Sequence, residues 1–237
     1  MITAVDFSQG IGSRPSDRIN ATAFANAYFV ARAAVAELVS LGVKPDVLTV
    51  GNTSVVDKRA VGSAVDMLQS EVNATALVQF SHENYCEGNE SAIAVSAVAS
   101  IVARDLKLID NPAMAFAYYS NLTLPTALDP EYFHACYPLS DILQLIRKPE
   151  ILEIIPGGSR GVAGDIVKLC DGLGYAFESG LLGLEATRQL SVGAGPACKF
   201  LVLATSPVQI RGYDFIGTIV KKGLKVSDRP PITSIAA

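Results

Sequence analysis

The residues best suited to chemistry form a short loop close to the first residue of the chain. From Asp6 to Asp17 it reads DFSQGIGSRPSD, with a Gly-x-Gly turn at Gly10 and Gly12 followed by Arg14. Glycines let the backbone approach an anion closely, and successive N–H groups form a concave anion site without a Walker sequence. The loop therefore suits a metal-bound phosphate, and a plain tight turn after a strand is the alternative.

A second glycine-rich segment, PGGSRGVAGD, lies in the second half of the chain. It contains Gly158, Ser159, Arg160 and Gly161, and it leads into a helix predicted over Val162–Leu173. A helix N-terminus carries free N–H groups and a partial positive charge, so this position suits an anion. The spacing is not that of a P-loop. A flexible connection from strand to helix is the alternative here.

Glu37 interrupts a long helix predicted over Thr22–Leu41, whose two faces are both largely apolar. An ionised carboxylate in such a helix is costly unless it is paired, hydrogen-bonded or bound to a metal. We expect a buried, functional carboxylate, and the alternatives are pairing with a partner such as Arg32 or a backbone amide, or simple exposure on a surface face.

Glu83 lies in a polar loop, SHENYCEG, that follows another predicted strand. Strand–helix–strand crossovers place successive strands in one sheet, so Asp6 and Glu83 are expected at the same end of that sheet. Topology alone does not bring Glu37 to them. His82, next to Glu83, is a weaker candidate.

The composition limits the classes of protein to which this chain can belong. The chain has 237 residues, half of them apolar and only 18% charged, with a formal net charge of -4. This balance argues against a general nucleic-acid binder, which needs clustered Lys and Arg. The acidic groups are free for another use, such as holding divalent cations that neutralise a phosphorylated ligand.

Other classes are excluded by what the sequence lacks. The four cysteines form no CxxC pair and two histidines are too few for an imidazole-rich metal site. We interpret the cysteines as idle thiols. No segment approaches the 18 unbroken apolar residues of a membrane helix, and the N-terminus has no basic region typical of a signal peptide. We therefore expect a cytoplasmic protein without membrane association.

The first hundred residues predict a domain of strands and helices in which the long helix and a second one, capped by Asp57, alternate with strands. Gly51-Asn52 interrupts one strand and indicates a bulge or a close approach to a ligand, so Asn52 is a candidate ligand contact. The strands are predicted over Ile2–Phe7, Asp46–Val56, Ala74–Phe80 and Ala92–Ala103.

Between Arg104 and Pro112 the sequence changes from apolar to charged residues and contains an Asn-Pro step. We place a domain boundary there, dividing the chain into residues 1–107 and 108–237. The second part is predicted to mix helices over Leu139–Arg147 and Val162–Leu173 with strands over Ala113–Tyr119, Ile151–Ile155, Ala197–Thr205 and Tyr213–Val220.

Four motifs follow one another along the chain. They are Asp6-x3-Gly10-Ile11-Gly12, Glu37-x4-Gly42-Val43-Lys44-Pro45, Ser81-His82-Glu83-Asn84 and Gly157-Gly158-Ser159-Arg160-Gly161-Val162-Ala163-Gly164-Asp165. In this order and spacing they resemble the AIR synthetase (PurM-like) superfamily, and within it most closely the α-ribazole kinases of cobamide salvage. The resemblance spans most of the chain.

The resemblance implies a mixed α+β and α/β fold, in which an N-terminal domain of strands and helices pairs with its copy in a homodimer to complete a β-barrel and an α/β domain follows. It implies ATP and Mg²⁺ held by carboxylates, with Asp6, Glu37 and Glu83 at the metal positions. Gly10 and Gly12 match the glycine turn. The glycine-rich start of the C-terminal domain's helix matches Gly158, Ser159 and Gly161.

The chain also departs from AIR synthetase itself. Gln9 stands where that enzyme has an acid, and Ser81-His82-Glu83-Asn84 replaces Gly-Gly-Glu-Thr. A glycine-rich N-terminal segment found in many members is missing. These departures favour the kinase-like branch.

The leading hypothesis is an ATP- and Mg²⁺-dependent kinase acting on a ribosyl hydroxyl of a small molecule, most specifically α-ribazole. Arg14 or Arg160 would steady the transferring phosphoryl group, and Asp17 is a candidate base or second-metal ligand. The alternatives are an AIR-synthetase-like ligase or cyclase, and a nucleotide-binding scaffold without catalysis.

Overall fold

The structure is a computed structural model, and it divides into two compact units. Of the described residues, the first unit contains 1–101 and 136–143, and the second contains 112–120 and 144–224. The predicted boundary after residue 107 lies outside the described residues. The described ranges are 1–53, 56–83, 89–101, 112–120, 136–158, 160–180 and 199–224.

The first unit is built on a four-stranded sheet in the order β1–β6–β4–β5. Strands β4 and β5 are parallel, and the other two neighbouring pairs are antiparallel. Two very short strands, β2 (Ile11–Gly12) and β3 (Ile19–Asn20), pair inside the opening loop. The sheet strands are β1 (Ile2–Gln9), β4 (Val47–Thr53), β5 (Leu77–Glu83) and β6 (Ala92–Ala99).

Of the two helices of this unit, the first packs on strands β1 and β6 and the second packs against the first. Helix α1 (Ala23–Ser40) begins where the Thr22 hydroxyl accepts a hydrogen bond from the amide of Ala25, and Gly42 follows it with φ 80°. Helix α2 (Lys58–Val72) is capped by Asp57 and ends at Asn73 in the left-handed conformation. Both helices lie where the sequence predicts them, and each is followed by a residue with a positive φ.

The predicted burial of Glu37 is wrong. Almost every residue of α1 is buried, as expected, but Glu37 is exposed and Ala33, one turn earlier, is half-buried. Residues four apart lie on the same side of a helix, so these two form the strip of α1 that reaches solvent. The exposure removes the desolvation cost on which the argument for a strained carboxylate depended.

The second unit contains a five-stranded antiparallel sheet in the order β8–β10–β7–β11–β9. Helix α4 (Gly161–Leu173) packs on it through Val162, Ile166 and Cys170. A shorter helix, α3 (Leu139–Leu145), precedes the sheet's second strand in the chain, and its residues 139–143 belong to the first unit. The sheet strands are β7 (Met114–Ser120), β8 (Ile151–Pro156), β9 (Tyr175–Ser179), β10 (Phe200–Ala204) and β11 (Tyr213–Lys221).

Strand β9 has no counterpart among the predicted elements. It lies at the edge of the sheet and buries only Tyr175, so it lacks the alternation of apolar and polar residues that marks a half-buried strand. In the described part of the chain, no helix combines the length and the apolar character needed to cross a membrane.

Candidate functional site

The Gly-x-Gly turn is held in place by its own backbone and by Ser91. Gly10 has φ 69°, donates to the carbonyl of Ser91 at 2.9 Å and accepts from the amide of Arg18 at 2.7 Å. Glycine adopts this left-handed conformation without the steric cost that other residues incur. At Gly12, an added Cβ would collide with the Ser91 hydroxyl and lie 2.5 Å from a carboxylate oxygen of Asp17. Both glycines are therefore required by the turn itself.

Asp17 is the central acceptor of the opening loop. Its carboxylate accepts from the amide of Arg14 at 2.8 Å and from the amide and hydroxyl of Ser91 at 2.7 and 2.9 Å. Partial desolvation opposes the shift, but these hydrogen bonds and the charge of Arg14 hold the pKa of Asp17 below its usual range. A carboxylate so engaged is a weak base. The geometry favours a structural role for Asp17 over the predicted role as general base.

Asp17→Asn is expected to lower the free energy of unfolding of the first unit by about 1–2 kcal/mol. The reason is that an NH₂ group replaces one carboxylate oxygen and faces the hydrogen-bond donors that this oxygen accepted from. Urea unfolding followed by circular dichroism measures the change. Ser16→Ala, at the exposed neighbouring position, is the matched control and should have little effect. A stability equal to that of the unmodified chain would show that the Asp17 hydrogen bonds do not hold the loop.

Asn26 of α1 ties the loop to the helix. It is 2% exposed, accepts from the Ser8 hydroxyl at 2.6 Å and donates to the carbonyl of Ile11 at 2.7 Å. Sequence reasoning missed both Asn26 and Ser91. The available signal for Asn26 was an amide within an otherwise apolar helix, which demands a partner when buried.

Asp6 is the predicted metal ligand whose surroundings are best defined. It lies in β1 opposite Val95, which is 1% exposed, and its carboxyl is half-buried. Desolvation raises the pKa of Asp6, and the hydrogen bond from the amide of Phe7 only partly opposes this. A carboxylate disfavoured in its charged form is stabilised by a nearby cation, so Asp6 fits a role as a Mg²⁺ ligand.

The structure does not assemble a complete metal site from the predicted carboxylates. Glu37 is exposed on α1, and Glu83 ends β5 opposite Thr53 with its side chain outside the described part of the structure. Among the side chains that are described, no three Asp, Glu, His or Cys residues cluster as metal ligands. A joint site of Asp6, Glu37 and Glu83 remains a prediction.

A cavity of about 380 Å³ lies where β1 and β4 end. Its lining includes Phe7, Gln9, Gly51, Asn52 and Ala94. A Cβ added at Gly51 would meet no atom within 4 Å, so the missing side chain leaves open space. The volume is within the range of small-molecule pockets, and the position agrees with the predicted ligand contact at Asn52.

Asn52 and His82 are neighbours across β4 and β5. Asn52 is 5% exposed and donates to the carbonyl of Thr53 at 3.1 Å, but its carbonyl oxygen has no partner among the described residues. The same holds for Nδ1 of His82. Desolvation, followed by the charge of Lys58, lowers the pKa of His82 and favours the neutral imidazole.

The second glycine-rich segment forms a compact turn at the start of α4. Gly158 donates its amide to the Asp165 carboxylate at 2.9 Å, and Gly161, with φ 68°, donates to the carbonyl of Gly158 at 3.1 Å. Arg160, the residue before the helix, is exposed and makes no side-chain cap. Ser159 lies outside the described residues. At the predicted anion position, the start of α4 therefore has no side-chain cap. The Asp165 carboxylate, which accepts from Gly158 in this turn, is buried.

No protein-family model matches this sequence, and no curated protein sequence matches it. Solved structures do match it. E. coli HypE, a hydrogenase maturation protein, is 11% identical with a TM-score of 0.62, and the match covers 94% of this chain and 81% of HypE.

Thiamine monophosphate kinase (ThiL) from Aquifex aeolicus, in complex with AMPPCP and TMP, is 13% identical with a TM-score of 0.62. That match covers 96% of this chain and 83% of ThiL. T. maritima PurL in complex with ATP is 15% identical with a TM-score of 0.51, over 92% of this chain and 35% of PurL. These similarities confirm the predicted PurM-like mixed α/β fold.

Proposed function

We propose that this chain is an ATP- and Mg²⁺-dependent kinase that phosphorylates a ribosyl hydroxyl of a small molecule, with α-ribazole as substrate and α-ribazole 5′-phosphate as product. The observation that carries the proposal is the shared fold, over nearly the whole chain, with a thiamine monophosphate kinase solved with AMPPCP and TMP. The choice of α-ribazole rests on the order and spacing of the four sequence motifs.

Phosphoryl transfer requires positioning and charge neutralisation more than covalent chemistry by the protein. When bound, Mg²⁺ would neutralise the phosphate charge, with Asp6, Glu37 and Glu83 as its ligands. Asp6 is the member of this set whose desolvation favours a cation. Arg14 and Arg160, both exposed, are available to steady the transferring group.

The nucleotide contacts are assigned to the two glycine-rich turns and to the cavity at Asn52. In the first unit the turn is preorganised by Asp17 and Ser91. In the second unit the turn opens α4, where a helix dipole favours phosphate. The assigned residues are Gly10, Gly12, Asn52, Gly158, Ser159 and Gly161.

Incubation with γ-labelled ATP and Mg²⁺ tests the reaction class. A kinase converts the label into a stable phosphomonoester of the acceptor, whereas an AIR-synthetase-like ligase or cyclase releases it as inorganic phosphate. A scaffold binds ATP, seen as a rise in melting temperature, and turns over no acceptor. The last two outcomes each overturn the kinase proposal.

The proposed homodimer is formed by the face of the four-stranded sheet that the helices leave open. Val5 and Phe7 of β1 are 66% and 73% exposed, and Leu77 of β5 is 61% exposed. Alternate residues of β1 point to the same face, so Val5 and Phe7 lie on one apolar strip. Large apolar side chains exposed together on a sheet favour burial against a partner.

Phe7→Glu is expected to convert the dimer to a monomer, because a carboxylate at this position would be desolvated in the interface. Light scattering after size-exclusion chromatography measures the mass. Met67→Glu, at an exposed apolar position on α2, is the matched control and should leave the mass unchanged. A monomeric unmodified chain would refute the dimer.

A further inference from the structure

A row of four residues crosses the open face of the four-stranded sheet and contains one large side chain. Phe7 of β1 pairs with Ala94 of β6. Gly51 of β4 pairs with Ala94 on one side and with Ser81 of β5 on the other. Paired residues on neighbouring strands point to the same face of a sheet, so all four lie on the face where Phe7 is largely exposed. The row therefore forms a trough with the Phe7 ring as one wall.

The floor of this trough is formed by Gly51 and Ala94. A Cβ added at Gly51 would meet no atom of the described residues within 4 Å, and the methyl group of Ala94 beside it is exposed. Neighbouring strands lie about 4.8 Å apart, so two strands without long side chains provide a floor wide enough for an aromatic ring system. The trough is part of the cavity of about 380 Å³ at the ends of β1 and β4.

Polar side chains form the rim of the trough. Gln9 and Thr53 lie two residues further along β1 and β4, on the same face, and they also line the cavity. The Gln9 amide group donates to Glu90 at 3.1 Å, and the Thr53 hydroxyl accepts from the amide of Ala92 at 3.4 Å. A carboxamide also carries an acceptor oxygen, and a hydroxyl also carries a donor hydrogen. The rim thus provides both kinds of hydrogen-bonding group beside an apolar floor.

The Gly-x-Gly turn follows directly after this rim. Phe7 lies three residues before Gly10, which corresponds to roughly 10 Å at the rise of an extended strand. A ligand that places a ring in the trough and a phosphate at the turn therefore needs a spacer between the two. A ribosyl compound has such a spacer, because its sugar separates a heteroaromatic base from the phosphate.

We propose that the trough of Phe7, Ala94, Gly51 and Ser81 binds the heteroaromatic base of a ribosyl ligand. The base lies on the floor with the Phe7 ring at its side, and its polar edge faces the rim. The inference rests on the proposed function, whose two ligands, ATP and α-ribazole, each carry such a base. It goes further in naming the residues that recognise the base.

Gly51→Val and Ala94→Leu each fill the trough and test the site. Isothermal titration calorimetry measures the dissociation constants for AMPPCP with Mg²⁺ and for α-ribazole in separate experiments. Both variants should raise at least one of these constants about tenfold or more, since the added side chain occupies the space of the base. The constant for tripolyphosphate, which has no base, should not change. The melting temperature of Gly51→Val should stay the same or rise, because valine favours strands and meets open space.

Gly62→Ala is the matched control, because a Cβ at Gly62 of α2 also meets no described atom within 4 Å. It should leave all three constants unchanged. Weaker binding of AMPPCP in the filled variants assigns the trough to the nucleotide, and weaker binding of α-ribazole assigns it to the acceptor; either result supports the site. The proposal is overturned if neither base-containing ligand binds the unmodified chain, or if both variants bind both ligands as tightly as the unmodified chain does.

Two further results would overturn the proposal. One is an equal loss of tripolyphosphate binding, which would mean that the variants disturb the turn and not the base. The other is a changed mass in light scattering with unchanged ligand affinities, which would assign the trough to a second copy of the chain. Failure of the kinase proposal is distinguishable from these results. A chain that binds a base through Gly51 but transfers no phosphoryl group from ATP would contradict only the proposed reaction.

Discussion

Glu71→Gln is expected to lower the free energy of unfolding by about 3 kcal/mol or more, because it removes the carboxylate that pairs with the buried charge of Arg32 in the first unit. Arg32 is 0% exposed, and its guanidinium lies 2.9 Å from Oε1 of Glu71. Removing one partner of a buried ion pair is costly because the remaining charge keeps its desolvation penalty and loses its compensation.

Glu71 also accepts two other hydrogen bonds, which adds to the expected loss. The Tyr28 hydroxyl donates to Oε2 at 2.8 Å, and the amide of Leu139 donates to Oε1 at 2.8 Å. Arg32 in turn donates to the carbonyl of Tyr137. The network therefore attaches the segment that leads into α3 to both helices of the first unit, and the loss of Glu71 should loosen that segment.

Urea unfolding followed by circular dichroism measures this effect. Asp66→Asn, an exposed change on the same helix, is the control and should have an effect near zero. The double variant Arg32→Met with Glu71→Leu should recover much of the loss, since an apolar pair has no charge to compensate. A loss below about 1 kcal/mol for Glu71→Gln, the range of surface ion pairs, would contradict the burial of the network.

Asp6→Asn is expected to have two effects of opposite sign. It should weaken Mg²⁺-dependent ATP binding roughly tenfold to a hundredfold, the range seen when groups that support a metal site are removed. It should raise the stability of the ligand-free chain at neutral pH, because the charged form of Asp6 is disfavoured by desolvation. A structural carboxylate whose charged form is stabilised by hydrogen bonds would show neither effect.

The stability gain of Asp6→Asn should depend on pH in a defined direction. The pKa of Asp6 is raised above its ordinary value of 3.8, so the folded chain binds this proton more tightly than the unfolded chain. The contribution of Asp6 to stability is then fully present below that value and is lost as pH rises through the folded pKa. The difference between the variant and the unmodified chain should be largest at neutral pH and disappear in acid.

Asp46→Asn is the control for both effects. The Asp46 carboxylate accepts from the amide of Ser100 at 2.7 Å, and this hydrogen bond lowers its pKa. Its replacement should reduce stability at neutral pH and leave ATP binding unchanged. An Asp6→Asn variant that behaves like this control, or that keeps full ATP affinity, would exclude Asp6 from the proposed metal site.

The two long helices of the first unit were predictable because their signals are local. Apolar residues recur at helical spacing, Thr22 and Asp57 are capping residues, and Gly42 and Asn73 adopt the positive φ angles at which helices end. The partner of Arg32 was not predictable in this way. Glu71 lies 39 residues further on, and only the packing of α1 against α2 brings the two together.

In the opening loop, too, some features could be predicted from the sequence and others depend on tertiary contacts. Its glycines and acids were evident from their spacing, but the part each plays depends on Ser91, which is 74 residues from Asp17 in the sequence. The role of Asp17 as an acceptor of backbone amides is a tertiary property that the loop sequence does not contain.

We propose phosphoryl transfer from ATP to a ribosyl hydroxyl, and ³¹P NMR of the purified chain with ATP, Mg²⁺ and α-ribazole tests this reaction. The expected result is a new phosphomonoester resonance that grows at the same rate as that of ADP, with no resonance of inorganic phosphate. Aminoimidazole and thiazole compounds serve as the acceptor panel. Release of inorganic phosphate alone, or no phosphomonoester from any acceptor under conditions where ATP binds, would exclude this reaction.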